Sequence, residues 1–338
     1  MIKPANPILL SICIPTYNRS ASLINCLNSI YIASKNSAIK FEVCISDNNS
    51  KDNTLNTIRR FKKKLPIKFH TLSENKGRVF NYVSVIKMAS GKFAWLIGDD
   101  DLLLPSALNE FANIQSKYYS VDFFYINSFN LDKKFIDQFS KPFNTLNLPK
   151  KMPRFSNFNN SMECNFLDLI DTEISFDFLG AMYMAVFNRT QWLQFHDVLK
   201  YRGYDLNEFS SLENSFPHAV VFAHAFSKSK AYFYSKPLTV NLFGVREWGT
   251  LYPLIRSFRL VQLLNLFRKQ GVPLLKYLKC KNASLHFFIP DFIYILVNSR
   301  RSGLKYINIF KDVLPLFVYP NFYASPLYFF IKRFKIKL

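Results

Sequence analysis

The first 130 residues predict an α/β protein with a mostly parallel sheet covered by helices on both faces. Three observations carry that expectation. Short apolar runs recur at regular intervals: LLSICI near the start, then FEVCIS (41–46), IKFHTL (67–72), KFAWLI (92–97) and VDFFYI (121–126). Stretches of helix length separate them. Polar residues collect just past the ends of the runs instead of alternating within them. Strands that are apolar on both faces and joined by helical crossovers belong to parallel sheets buried from both sides.

Taken in order, LLSICI reads as a strand stopped by Pro15. Ser20 or Ser22 would cap a helix running to about Ile32, with Leu23, Cys26, Leu27 and Ile30 on one face. FEVCIS is the second strand, and NTLNTIRRFKKK a helix for which Asp52 is the cap. IKFHTL follows as a strand, and RVFNYVSVIKMAS as a helix ending at Gly91, a glycine of the kind that closes helices. KFAWLI is the fourth strand, PSALNEFANIQSKY a helix with Pro in its first turn, and VDFFYI the fifth strand.

In sheets of this type ligands bind beyond the carboxyl ends of the strands. The chemistry is therefore expected in three loops, PTYNRS, DNNSKD and GDDD. Past residue 130 the pattern loosens. Residues 131–165 are rich in Asn and Lys and read as a long loop or lid, followed by a mixed region to about 250. The expected division is 1–130, 131–250 and a helical, basic and aromatic 251–338.

The chain has 338 residues, 49% of them hydrophobic, and a net charge of +21, which calls for an anionic partner. Residues 251–338 hold 15 Lys or Arg against only Asp291 and Asp312, so more than half of that charge sits on the last quarter. Cations interleaved with Phe and Tyr suit an anionic membrane surface. No run reaches the ~18–20 apolar residues of a spanning helix; the best stretch, Phe287–Val297, contains Pro290 and Asp291. The first residues have no basic region or cleavage site, so no signal peptide is expected. Five cysteines without metal-ligand spacing read as reduced thiols of a cytoplasmic protein.

The stretch WLIGDDDLLLP puts Asp99, Asp100 and Asp101 side by side in an apolar run. Adjacent carboxylates repel and are costly to desolvate. A divalent cation, Mg²⁺ or Mn²⁺, would compensate them and bind a diphosphate as well, while one Asp could instead accept from a ribose. A helix N-terminus would favour one such charge, not three. In SDNNSKDNT, Asp47 ends a strand and reads as an acceptor for a base or ribose, and Asp52 as a cap. PTYNR lacks the Gly-rich phosphate fingerprint, which argues against dinucleotide-binding and P-loop domains.

The segments SICIPTYNR, CISDNNSKDNT, ENKGRVFNYV and GKFAWLIGDDDLLLP, in that order and spacing, closely resemble family 2 glycosyltransferases of the GT-A fold. SFPHAVVFAHAF and YSKPLTVNLFG resemble, more loosely, the branch that transfers deoxysugars in bacterial O-antigen assembly, abequosyltransferases included. The resemblance implies a nucleotide-sugar donor and Mg²⁺ or Mn²⁺. It also implies a polyprenyl-diphosphate-linked oligosaccharide as acceptor at the inner face of the cytoplasmic membrane, which the basic tail would approach.

By the same resemblance Pro15, Thr16 and Tyr17 would line the nucleotide pocket, Asp47 would contact the base with Asn48 beside it, and Asn75, Gly77 and Arg78 would border the nucleotide. GDDD stands at the family's DxD motif, with Asp100 favoured for the metal, Asp99 for the ribose or a shared metal, and Asp101 as second choice. Members of the family usually invert the anomeric centre with a carboxylate base some tens of residues further on. Glu213 is favoured for it, with Asp205, Glu208 and His218 as the other candidates.

Three alternatives make other demands. A sugar nucleotidyltransferase would bring a Gly-rich N-terminal loop. A nucleic-acid-binding protein would line a groove with cations instead of closing a strand with three Asp, so no nucleic-acid partner is expected. An inactive membrane-bound scaffold would need no base at all.

Overall fold

The computed structural model describes residues 7–35, 37–199, 209–244 and 249–334. Asp205 and Glu208 lie outside them. The strands β1 (Leu10–Thr16), β2 (Phe41–Asp47), β3 (Ile67–Thr71) and β4 (Phe93–Leu96) are parallel, in the spatial order β3-β2-β1-β4. The crossovers are α1 (Ser20–Ser34), α2 (Thr54–Lys62) and α3 (Arg78–Met88). All seven residues of β1 and all four of β4 are buried, as the apolar runs require.

Pro15 does not stop β1, which continues to Thr16 in register with Asp47. The Thr16 carbonyl accepts from Asn48 on the β2 side, and the Cys13 carbonyl accepts from Ile97 on the β4 side. By alternation the nitrogen of Pro15 faces the β4 side, past the last paired residue there, and no ladder bond is lost.

Neither serine caps α1 through its own side chain. The Ser20 N–H donates instead to Asp52 Oδ2 at 3.0 Å, and Asp52 Oδ1 accepts from Thr54 N–H (3.0 Å) and Oγ1 (2.5 Å). One carboxylate thus serves the first turns of α1 and α2. Partial burial pushes its pKa up, but these hydrogen bonds outweigh that and hold it below the ordinary value.

Gly91 does not close α3 either. The helix ends at Met88 and Ala89 is already extended. A side chain at Gly91 would meet Ser11 Oγ at 2.7 Å and Ser11 N at 2.8 Å, so the glycine allows close passage beside β1. Its N–H donates to that Ser11 Oγ, which donates in turn to Glu42.

A short β5 (Leu102–Leu103) precedes α4 (Ala107–Lys117), and β6 (Phe123–Asp132) runs past the expected end of the fifth strand. Then follow α5 (Lys133–Ile136), β7 (Met162–Asn165), β8 (Ala185–Asn188), α6 (Arg189–Phe195), α7 (Leu212–Ser215), α8 (Pro217–Ala225) and β9 (Lys230–Phe243). These strands extend the same sheet as β4-β8-β6-β9-β5, with β7 also paired to β9. Among the described residues it has nine strands. β8 is antiparallel to both its neighbours, and β6 parallel to β9. Rings of Phe93, Phe111 and Phe124 meet edge to face at 5.5–6.0 Å beneath α4; each such fully buried side chain contributes about 1.5–3 kcal/mol.

Residues 137–161 hold no element longer than one turn but are fastened down. Phe135, Phe139 and Phe143 pack with Leu102, Val240 and Leu242 in a second small core. Asn25 Oδ1 accepts from Phe143 N–H (2.8 Å), and Asn28 Nδ2 donates to its carbonyl (2.9 Å). The chain then turns helical: α9 (Tyr252–Leu254), α10 (Leu260–Lys269), α11 (Leu274–Ser284), α12 (Phe288–Val297) and α13 (Pro320–Phe334). Among the described residues no helix is long and apolar enough to cross a membrane.

Candidate functional site

The carboxyl ends of β1, β2 and β4 open into a cleft of about 490 Å³. It is lined by Pro15, Thr16, Tyr17, Asn48, Arg78 and the three acids after β4, together with residues 176–177, 180–183, 214–216 and 218 and with Tyr252, Ile255, Arg256 and Leu260. The three loops expected to carry the chemistry therefore converge, and two later segments join them.

The acids differ in what they do. Asp101 Oδ2 accepts from Gly98 N–H at 2.7 Å, and Asp101 N–H donates to the Gly98 carbonyl at 3.2 Å, so this carboxylate closes the turn. Asp99 is buried and accepts from Thr16 Oγ1 at 2.7 Å. Burial and the neighbouring Asp100 charge raise its pKa to about 7, against the Thr16 hydrogen bond and the Arg19 charge. A Cβ on Gly98 would lie 2.7 Å from Asp100 Oδ1 and 2.9 Å from Asp101 Oδ2, so only glycine lets the carboxylates gather there.

These hard oxygen donors suit Mg²⁺ or Mn²⁺, and a carboxylate left costly to ionise is what a cation would relieve. Asp99 and Asp100 would hold the ion. Among the described residues no three His, Cys, Asp or Glu converge as a metal cage. A cation here would share its coordination with phosphate oxygens and water.

Asn48 binds the neighbouring loop to the site. Its Nδ2 donates to Asn75 Oδ1 (2.7 Å), its Oδ1 accepts from Lys76 N–H (2.9 Å), and Gly77 N–H donates to Asn75 Oδ1 (3.0 Å). Asp47, expected to meet the base, is fully buried and does not line the cleft. It accepts from Ser50 Oγ at 2.5 Å and Ser50 N–H at 3.2 Å, which shapes the loop instead. Arg78 opens α3, donates to the Asn214 carbonyl, and lies over the Phe209 ring at 4.2 Å.

Of the candidate bases, Glu213 is exposed and does not line the cleft; its neighbours Asn214 and Ser215 do. His218 does line it, but burial and the Arg78 charge lower its pKa to about 4 and keep the ring neutral. The acid that faces the cleft on this side is Asp177, which no sequence motif singled out. Burial raises its pKa to about 6, although Ser175 Oγ and Tyr125 Oη both donate to it. It opens a strained turn: Phe178 (φ 50°) and Leu179 (φ 69°) are both left-handed, a conformation costing side-chain-bearing residues on the order of 1–3 kcal/mol each. Gly180 closes the turn, its N–H donating to the Asp177 carbonyl at 2.9 Å and its carbonyl accepting from His218 Nε2 at 3.0 Å.

A parallel β3-β2-β1-β4 half, an antiparallel β8 beside it and an acidic turn after β4 define a GT-A glycosyltransferase fold. Two solved structures share it. The crystal structure of residues 1–349 of Staphylococcus aureus TarS with UDP-GlcNAc has a TM-score of 0.57 and 16% identity, over 94% of this chain and 79% of that one. The mannosyltransferase PcManGT of Pyrobaculum calidifontis, with GDP-Man and Mn²⁺, has a TM-score of 0.50 and 15% identity, over 99% and 90%. Residues 11–175, just under half of the chain, match the glycosyl transferase family 2 model.

Among curated relatives, the abequosyltransferase RfbV of Salmonella typhimurium is 38% identical over 103 residues, 30% of this chain and 31% of that protein. An uncharacterized glycosyltransferase of Mycoplasma pneumoniae, the MG060 homolog, is 33% identical over 111 residues, 32% and 37%. The match thus spans about a third of the length of these curated relatives.

Proposed function

We propose that this chain transfers a sugar from a nucleoside-diphosphate donor to a saccharide hydroxyl on a lipid-linked oligosaccharide, with inversion, and that Asp177 is the base. The observation that carries this reading is one cleft holding two unlike carboxylate sites: paired acids after β4, and a solitary acid whose pKa is raised to about 6. Separate environments for separate carboxylates are how one fold divides charge stabilisation from proton transfer.

In this reading Thr16, Tyr17, Asn48 and Arg78 surround the nucleotide. Bound Mg²⁺ or Mn²⁺ would neutralise the diphosphate and stabilise it as it leaves. The Asp177 carboxylate takes the proton of the acceptor hydroxyl. That oxygen bonds to the anomeric carbon from the face opposite the diphosphate, and the C–O bond to the diphosphate breaks with its electron pair leaving on the nucleotide. Tyr125 and Ser175 hold the carboxylate in place, and the strained turn fixes where it points.

The lipid-linked acceptor and a seat on the inner face of the cytoplasmic membrane rest on the helical region. Of 22 exposed large apolar side chains among the described residues, 16 lie between Leu274 and Phe330. The last quarter of the chain, residues 251–338, which contains that segment, carries more than half of the net positive charge. Apolar side chains ringed by cations suit anionic lipid.

The test is thermal stability with UDP, CDP, GDP and dTDP, each with and without Mn²⁺, followed by product analysis. One nucleotide should stabilise the chain in a metal-dependent way, and Asp100→Ala should abolish the shift. Asp177→Asn should keep the shift and lose about 10²–10⁴-fold in turnover. No shift with any nucleotide would overturn the reading and return the acidic turn to a purely structural role.

A further inference from the structure

Six buried side-chain polar atoms lack a hydrogen-bond partner among the described residues, and three of them, Arg78 Nε, Asn81 Oδ1 and His218 Nδ1, belong to residues lining this cleft. A buried polar atom left unpaired costs about 1–3 kcal/mol, so three at one site call for an explanation. Arg78 and Asn81 are three apart on α3 and share a face, and the Arg78 charge is felt at His218.

The remaining partners of Asn81 and His218 decide what their free atoms are. The Gly180 carbonyl can only accept, so the His218 Nε2 in contact with it carries the proton. In the neutral ring Nδ1 is then a bare lone pair. Likewise the Thr16 carbonyl can only accept, which assigns the amide nitrogen of Asn81 to that 3.2 Å contact and leaves Oδ1 as acceptor. His218 is 4% exposed and Asn81 3%. Two desolvated acceptors are wrong for phosphate or carboxylate oxygens, which also only accept. They demand O–H or N–H groups.

We propose that Asn81 and His218 read sugar hydroxyls in the cleft, and that His218 Nδ1 is a specificity-determining contact. This rests on the glycosyl-transfer reading. The second nitrogen of His218 does something different, bracing through Gly180 the turn that carries Asp177. Discrimination and base positioning therefore meet in one ring, on opposite nitrogens.

Two substitutions separate these roles. The amide of His218→Gln can reach the Gly180 carbonyl but leaves no acceptor at the Nδ1 position; His218→Asn does the reverse. For whichever nucleotide sugar and saccharide acceptor turn over, His218→Gln should raise one KM by about 10–100-fold, with kcat within about threefold. His218→Asn should lower kcat about 10-fold with both KM values within about threefold. A raised KM for the nucleotide sugar assigns the hydroxyl to the donor; one for the saccharide assigns it to the acceptor.

Calorimetric binding of the bare nucleoside diphosphate with Mg²⁺ should be equal in wild type and His218→Gln, which separates this inference from failure of the nucleotide site. If both variants lose kcat alike with KM unchanged, the ring is only a brace and the inference falls. Should the variants not fold, the ¹⁵N signal of His218 Nδ1 in the wild-type chain decides. It should move on adding nucleotide sugars or saccharide, not bare diphosphate; no movement with any of them overturns the inference.

Discussion

In residues 10–118 Tyr17 is the one exposed large apolar side chain among the described residues, and of the four buried acids, Glu42, Asp47, Asp99 and Asp101, three lie at the carboxyl end of the sheet. From residue 252 onward the pattern differs. Arg259, Lys281 and Asp291 are buried, while Leu275 (82% exposed), Val318 (80%), Val297 and Phe310 face outward. The first region is arranged for water outside and a ligand at one end. The second buries cations as well as an acid and presents its apolar residues, the arrangement of a surface awaiting a less polar medium. Both line the cleft, the second through Tyr252, Ile255, Arg256 and Leu260.

The largest expected effect breaks the inner polarity of the second region. Arg256 pairs with Asp291 through Nε (2.9 Å) and Nη2 (2.5 Å), and Ser257 Oγ donates to the same carboxylate at 2.6 Å. Asp291→Ala would strand that guanidinium and destabilise the fold by about 3 kcal/mol, measured by denaturant unfolding. A loss below about 0.5 kcal/mol would mean the pair is solvated and the comparison overstated.

Next comes the outer face. Phe310→Asp with Val318→Asp should abolish sedimentation with phosphatidylglycerol vesicles and leave stability within about 0.5 kcal/mol, because both side chains are exposed. Undiminished vesicle binding would take the membrane role away from this face.

The first region is sharpened by pH. Asp177 must be ionised to accept a proton, so kcat/KM should rise with pH through about 6, and the rise should disappear in Asp177→Asn. A profile unchanged by that substitution would remove Asp177 from the chemistry.

The smallest effect concerns Asp99. Its folded pKa of about 7 lies above the ordinary carboxylate value of about 3.9, so the folded chain binds more protons and loses stability as pH rises between the two. Asp99→Asn should therefore raise the unfolding temperature of the ligand-free chain at pH 8 by on the order of 2 °C, and by nothing near pH 4. Equal shifts at both pH values would refute that account.

What the sequence made legible was whatever depends on near neighbours. The apolar runs became β1, β2, β3, β4 and the first half of β6, while Asp52 accepts from the first turn of α2 from one residue outside the N-cap, which is Asn53. The acidic turn was readable because three charges interrupt an apolar run. Asp177 sits in ISFDFLG, a single charge in an apolar run, and the same logic applied there would have found it. What qualifies it is distant in the chain: Tyr125 from β6, His218 from α8, and two left-handed residues that no periodicity announces. Glu213 attracted notice through its acidic company, but α7 turns it outward. Asp47 was placed at the right strand end, yet its partner is Ser50, a local loop contact. Pro15 and Gly91 look like stops in the sequence, but pairing side and close passage explain both.

Buried Arg259 has a consequence for dividing this chain. Its guanidinium donates to the carbonyls of Phe209 and Ser210 at 2.8–3.1 Å, and Phe209 is the ring beneath Arg78. A truncation that kept the strands and discarded the helices from Tyr252 onward would remove part of the cleft lining and the clasp on that ring together. The strand-rich half is not an excisable cassette, and grafting its loops onto another GT-A scaffold would carry over the acidic turn without the cleft residues that the helices supply.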